Sequence, residues 1–209
     1  MIKVYYCDLH LSSYGSFIEN GLGKVNENRR IKVNKCKNPE NKVNSLGAGL
    51  LLRYALENAG YRYDNLNFFN DEYGAIRIDN VTDLFISISH SNGFAACALS
   101  DTAIGVDIEK IDRFEKVNFI KRCYTQREQE FVSEDTSHFE EKCAVVWTRK
   151  EAYSKQKGLG MRLDFKNIDT MNINYFYDYQ IQENMQLSVC SDDKNVMDTN
   201  IIKVDVSDL

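Results

Sequence analysis

A single helical face changes character half way along residues 139–155, and few folds can accommodate that. Phe139, Cys143, Val146 and Trp147 stand at i, i+4, i+7 and i+8, one apolar stripe of a helix. Carried forward, the same stripe reaches Lys150, Glu151, Ser154 and Lys155. Lys and Glu rarely enter an interior unless they are paired or liganded. Either the helix leaves the core and Glu151–Lys155 is an ordinary i,i+4 surface pair, worth about 0.2–0.5 kcal/mol, or the charged half lines a site. The rest of the chain decides between them.

Residues 104–108 alternate as a strand. Ile104, Val106 and Ile108 point one way; Gly105, Asp107 and Glu109 point the other. Two carboxylates at i and i+2 stand about 6.5–7 Å apart along a strand. They repel unless a cation or a lysine neutralises them. An edge strand with a wet acidic face is the plain explanation. The alternative is a hard cation held by oxygen ligands, Mg²⁺ or Mn²⁺ and not zinc. Asp107 and Glu109 from the strand, with Glu151 from the helix, would form that site, and Lys150 and Lys155 beside it would bind phosphate as compact point charges.

Elsewhere the pattern is α+β. A Val- and Tyr-rich strand is expected at 2–9 and a helix at 44–60, capped by Asn44 or Ser45 and ended by Gly60. NDEYGAIRI at 70–78 reads as a turn followed by a short extended piece. Leu84–His90, the turn Ser91-Asn92-Gly93 and Phe94–Leu99 read as a hairpin with Ser89, His90 and Ser91 at its tip. Thr125-Gln-Arg-Glu128 is a capping box, which accounts for Glu128 without chemistry. Strands return at 172–179, 186–191 and 201–206. Helix followed by strands thus occurs twice, which suggests two similar halves, 1–102 and 103–209, packed as an intramolecular pseudo-dimer with the active site in the cleft between them. Lys24, Arg29, Arg30, Lys32 and Lys35 make a local basic excess in the polar 12–35 segment, read for the most part as a solvated face. A net charge of −5 over 209 residues does not indicate a broad nucleic-acid surface. The six scattered cysteines contain no C-x-x-C pair, no signal peptide is evident and no apolar run nears the ~18 residues of a membrane span. A reduced, cytoplasmic protein without membrane attachment is expected.

GVDIE at 105–109 together with WTRKEAYSK at 147–155 resembles the paired signature of the 4′-phosphopantetheinyl transferases, G-[V/I]-D-x-E and then W-[S/T]-x-K-E-[A/S]-x-x-K. SHS at 89–91 after a strand is similar to the family's upstream motif. Glu128 matches the acidic residue that follows an R-x-[F/Y]-[S/T] stretch, here Arg122, Cys123, Tyr124 and Thr125. Length and two-half plan resemble the larger Sfp-type branch, not the half-length trimeric acyl-carrier-protein synthases. The resemblance implies that coenzyme A gives its phosphopantetheine arm to a serine of an apo acyl carrier protein or peptidyl carrier domain, and that 3′,5′-ADP leaves. It implies Mg²⁺ on Asp107, Glu109 and Glu151, and the departing phosphate on Lys155 and Lys150. Ser89 and His90 would contact the nucleotide phosphates, His90 most effectively if protonated, with Tyr73, Gly74 and Arg77 also on coenzyme A. The serine proton would go to Glu128 or Glu151, and Trp147 would be a packing anchor. A monomer is expected.

The chain departs from the pattern in two places. Gly74-Ala75-Ile76 stands where the family usually has G-K-P, and Asn44 where an Arg often begins the helix. An extended backbone puts Ala75 and Arg77 on one face, so either Arg77 partly replaces the absent lysine or it points to solvent and the site is simply weaker. Two alternatives carry different consequences: a catalytically weak homologue that only binds carrier proteins, or another Mg²⁺-dependent phosphoryl or nucleotidyl transferase. The absence of a Gly-rich P-loop lysine motif weighs against an ATP enzyme of that type.

Overall fold

The first strand is apolar on both faces, and the chain is built around it. A computed structural model describes residues 2–11, 13–113, 117–173, 175–182, 184–194 and 200–209. The elements in order are β1 (Ile2–Asp8), α1 (Tyr14–Gly21), α2 (Glu27–Lys35), α3 (Pro39–Asn58), β2 (Phe68–Asn70), β3 (Ile76–Ile78), β4 (Phe85–Ser91), β5 (Phe94–Ser100), β6 (Ile104–Lys110), α4 (Val117–Cys123), α5 (Gln126–Ser133), α6 (Phe139–Lys157), β7 (Phe176–Ile181), β8 (Met185–Ser191) and β9 (Ile201–Val204). The architecture is mixed α and β.

Tyr5 and Cys7 of β1 face α3, where they meet Ala48, Leu51, Leu52, Ala55 and Leu56, with Ile86, Ala95, Cys97 and Leu99 from β4 and β5. Each fully buried leucine there contributes about 1.5–3 kcal/mol. Val4, on the other face, joins Phe94, Ala96 and Ala98 against Ile104, Val106, Ile108, Leu187 and Val189, so this second core binds the two large sheets together. The sheets run in the order β4-β5-β1-β9 and β6-β8-β7; β2 and β3 form a separate hairpin. Both large sheets contain the same succession. A strand (β1 or β6) leads to a helix (α3 or α6), then to a hairpin (β4-β5 or β7-β8) whose second strand returns antiparallel to the first.

Several expectations change. The helix expected at 44–60 begins at Pro39. The Asn38 side chain accepts the Glu40 N–H and Pro39 supplies a preset φ at the first helical position, so Asn44 and Ser45 are buried interior residues and not caps. The 12–35 segment folds into α1 and α2, and its Arg29 is buried, not solvated. The strand expected at 172–179 starts at Phe176; Asn174 lies outside the described residues. The last strand pairs in parallel with β1, Val4 opposite Ile201, so the C-terminal residues leave the second sheet for the first and the boundary at 102/103 does not follow sheet membership. The hairpin at 84–99 matches its expectation, with Asn92 and Gly93 both at positive φ (44° and 76°) in the two-residue turn.

Candidate active site

The site is built on a seam. β4 and β6 are edge strands of different sheets that lie side by side, and side chains stitch them together. Serines at every second position of β4 face β6. Val106 N–H donates to Ser87 Oγ (3.0 Å), Ser89 Oγ to Asp107 Oδ1 (2.7 Å), and Ser91 Oγ to Glu109 Oε2 (2.6 Å). The acidic face of β6 is therefore not wet. Asp107 is 4% exposed, against the surface position expected from alternation alone.

α6 crosses this face in direct contact with the β6 backbone. A Cβ at Gly105 would stand 1.8 Å from the Ala152 carbonyl oxygen, so only glycine allows the approach. It brings Lys155 onto β6, where Nζ donates to Val106 O (3.0 Å) and Asp107 Oδ1 (2.7 Å). Asp107 Oδ2 is buried without a hydrogen-bond partner. Burial first, and then the charge of Asp107, push the Glu151 carboxyl up to about 7; Lys155 opposes the rise and Glu109 adds to it. The charged half of the stripe thus lines a site.

A hard divalent cation suits this donor set. It would give Asp107 Oδ2 a partner and favour the charged form of Glu151, which burial and the charge of Asp107 oppose. Asp107, Glu109 and Glu151 could hold it. Among the described residues no three such side chains already close on an ion, so these carboxylates would turn inward to do so.

Beside the carboxylates lies a cleft of about 230 Å³ between α2, the β2–β3 turn and the end of α6. Its walls are cationic. Arg29, 7% exposed, passes its side chain over Gly49 and donates to the Ser45 hydroxyl (3.4 Å) and carbonyl (3.5 Å), both neutral acceptors. Burial lowers the affinity of Arg29 for its proton, and burial together with Arg29 does the same to Lys32. His90 is brought down to about 4 by burial and then by Lys32, Arg29 and Lys155. It is neutral at pH 7, so it lacks the charge that would make it most effective toward phosphate, but it can donate one hydrogen bond. A buried guanidinium facing only neutral acceptors, with the exposed Lys32 beside it, suits a polyanion.

Tyr73, Gly74 and Arg77 also line this cleft. Arg77 Nε donates to Asp71 Oδ2 (3.0 Å), and its guanidinium lies over Gly158, at the C-terminus of α6. The Arg162 guanidinium lies 4.9 Å above the Tyr73 ring. Trp147 packs edge-on to Phe119 (4.7 Å) and Phe165 (5.3 Å), a packing anchor as expected.

Three expected site residues are committed elsewhere. Lys150 and Glu128 are both fully buried and pair at 2.7 Å. The three ammonium protons of Lys150 go to Glu128, Phe165 O and Ile168 O, which leaves none for phosphate. Glu128 accepts from Thr125 N–H (2.8 Å), Thr170 N–H (2.9 Å), Thr170 Oγ1 (2.7 Å) and Lys150, which leaves no oxygen to take a proton. The capping box at Thr125 is present. Ser89 donates to Asp107 and so orients a carboxylate, not a phosphate.

Residues 103–190 match the model of the 4′-phosphopantetheinyl transferase superfamily. The chain is 24% identical to the 4′-phosphopantetheinyl transferase gsp of Aneurinibacillus migulanus, over 93% of this chain and 86% of that protein. It is 26% identical to the 4′-phosphopantetheinyl transferase Sfp of Bacillus subtilis (strain 168), over 86% and 80%. A further 4′-phosphopantetheinyl transferase of Bacillus subtilis is 28% identical over 72% and 71%.

Proposed function

We propose that this member of the 4′-phosphopantetheinyl transferase superfamily takes the phosphopantetheine arm of coenzyme A and places it on a serine of an acyl or peptidyl carrier protein, releasing 3′,5′-ADP. The observation that carries the reading is the junction of two unlike surfaces: a buried carboxylate with an orphaned oxygen on β6, with the half-buried Glu109 next to it, and a cationic cleft directly beside them. Phosphopantetheinyl transfer out of a pyrophosphate needs both, one for a metal and one for the nucleotide.

In this reading Arg29, Lys32, Arg77 and neutral His90 bind the nucleotide end and orient the pyrophosphate toward β6. Mg²⁺, or Mn²⁺, held by Asp107, Glu109 and Glu151, supplies Lewis-acid polarisation of the phosphoryl oxygens. The serine oxygen forms its bond to phosphorus as the bridging P–O bond breaks toward 3′,5′-ADP. Lys155, already at the carboxylates, stabilises charge on the departing phosphate. With Glu128 saturated, Glu151 takes the serine proton. Tyr73 and Gly74 form the rim of the cleft.

The repeated strand–helix–hairpin succession supports a pseudo-dimer of two halves joined at the β4–β6 seam, so that one chain supplies the whole cleft and acts as a monomer. Among the described residues no helix is long and apolar enough to cross a membrane. The six free cysteines support a reducing, cytoplasmic setting. Chromatography of a reaction with coenzyme A, Mg²⁺ and an apo carrier tests the reading: 3′,5′-ADP should appear mole for mole with modified carrier. Its absence at full Mg²⁺ would refute transferase activity.

A further inference from the structure

Lys150 and Glu128 are side chains of the paired signature and its neighbourhood that the chemistry above does not use, yet they form a fully buried and fully satisfied ion pair. Every proton of the ammonium and every acceptor place of the carboxylate is taken, at zero exposure. The pair ties together α6, the first turn of α5 and the 165–170 segment. Aromatic packing of Trp147 on Phe165 closes the same junction.

Stability alone is a poor reason for such a pair, because apolar replacements of buried ion pairs are often neutral or stabilising. What the pair does fix is orientation. Lys150 immediately precedes Glu151, and consecutive helical residues differ by about 100° around the axis. A Lys150 side chain anchored at three points prevents α6 from rotating. With the Gly105 contact holding the helix against β6, Glu151 is kept on the side of α6 where the charge of Asp107 reaches it.

We infer that Lys150 and Glu128 are positioning residues which set the rotation of α6 and thereby aim Glu151 at the cation site. The inference rests on the proposed role of Asp107, Glu109 and Glu151 as metal ligands. It assigns Glu128 no proton transfer and Lys150 no phosphate contact. Groups that orient metal ligands from behind typically change metal affinity or activity by about 10–100-fold when removed.

Mn²⁺ binding to the protein free of coenzyme A, followed by loss of the free-ion EPR signal, separates the possibilities. Wild type should bind Mn²⁺ and Asp107→Asn should not; if wild type binds none, the metal-site reading itself fails. The double variant Lys150→Met/Glu128→Gln leaves no uncompensated buried charge. It should bind Mn²⁺ about 10–100-fold more weakly, with kcat lowered and KM for coenzyme A nearly unchanged. Thr170→Val keeps the ion pair, and hence the fold, but loosens Glu128; it should weaken Mn²⁺ binding in the same direction by a smaller factor. If the double variant does not fold, Thr170→Val decides alone. Wild-type Mn²⁺ affinity in Thr170→Val, or a raised KM for coenzyme A with unchanged Mn²⁺ affinity in either variant, would overturn the inference.

Discussion

Replacing Arg29 by Met separates binding from folding, because the structure gives the two effects opposite signs. Met retains the unbranched stem that crosses Gly49 and removes only the guanidinium. In the free protein that guanidinium is buried against neutral partners, the Ser45 hydroxyl and carbonyl, at long distances of 3.4 and 3.5 Å. A buried charge without a counter-charge is unfavourable, and burial already lowers its proton affinity. Loss of the charge should therefore leave Tm unchanged or raise it. With a phosphate in the cleft the same group makes charged hydrogen bonds, worth about 1.5–3 kcal/mol. At about 1.4 kcal/mol per tenfold, KM for coenzyme A should rise about 10–100-fold. The carboxylates on β6 are untouched, so kcat should change little. Steady-state kinetics with varied coenzyme A, alongside thermal unfolding of the ligand-free protein, reads both signs. A KM like wild type, or a KM rise accompanied by a large fall in Tm, would show that Arg29 serves the fold and not the nucleotide.

Three further outcomes follow from the β6 face. Asp107→Asn keeps an acceptor for Ser89 and should abolish turnover with the fold retained, whereas Asp107→Ala should also destabilise because it strands Lys155 and the Ser89 hydroxyl; circular dichroism and activity of the two variants check this. Lys155→Ala should lower kcat by about 10²–10³-fold, as for a lost transition-state donor; unaltered kcat would return Lys155 to a merely structural pair. Glu151 carries a raised folded-state pKa, so between its ordinary value of 4.5 and about 7 the folded state holds the extra proton and stability falls as pH rises. Urea unfolding in EDTA across this window should show that fall, Glu151→Gln should flatten it, and a wild-type profile equal to that of Glu151→Gln would contradict the crowding of carboxylates.

How far the residues alone disclose this molecule depends on the range of the interaction. The α6 stripe, the β4–β5 hairpin and the i, i+2 carboxylates are local patterns, and they are found where periodicity puts them. The β9 pairing with β1 joins residues nearly two hundred apart, and no local signal specifies it. Lys150 shows the limit more finely. Its place on an apolar stripe says that it is buried, but not that Glu128 and two carbonyls wait there in place of phosphate. Arg29 carried the same kind of signal. Val25, Arg29 and Val33 stand four residues apart and all are buried, so the charge interrupts an apolar stripe just as Lys150 does. The serines at 87, 89 and 91, spaced like Gly105, Asp107 and Glu109, hinted that two strands would meet through side chains.

Group transfer from coenzyme A to a carrier serine changes the mass of the carrier. Intact-mass measurement of an apo carrier after incubation with this protein, coenzyme A and Mg²⁺ should therefore find it heavier by one phosphopantetheine group, located on the serine by fragmentation. The increase should be absent with Asp107→Asn or EDTA and restored when Mg²⁺ is returned. An unmodified carrier at full Mg²⁺, or the same mass increase in EDTA, would contradict metal-dependent transfer.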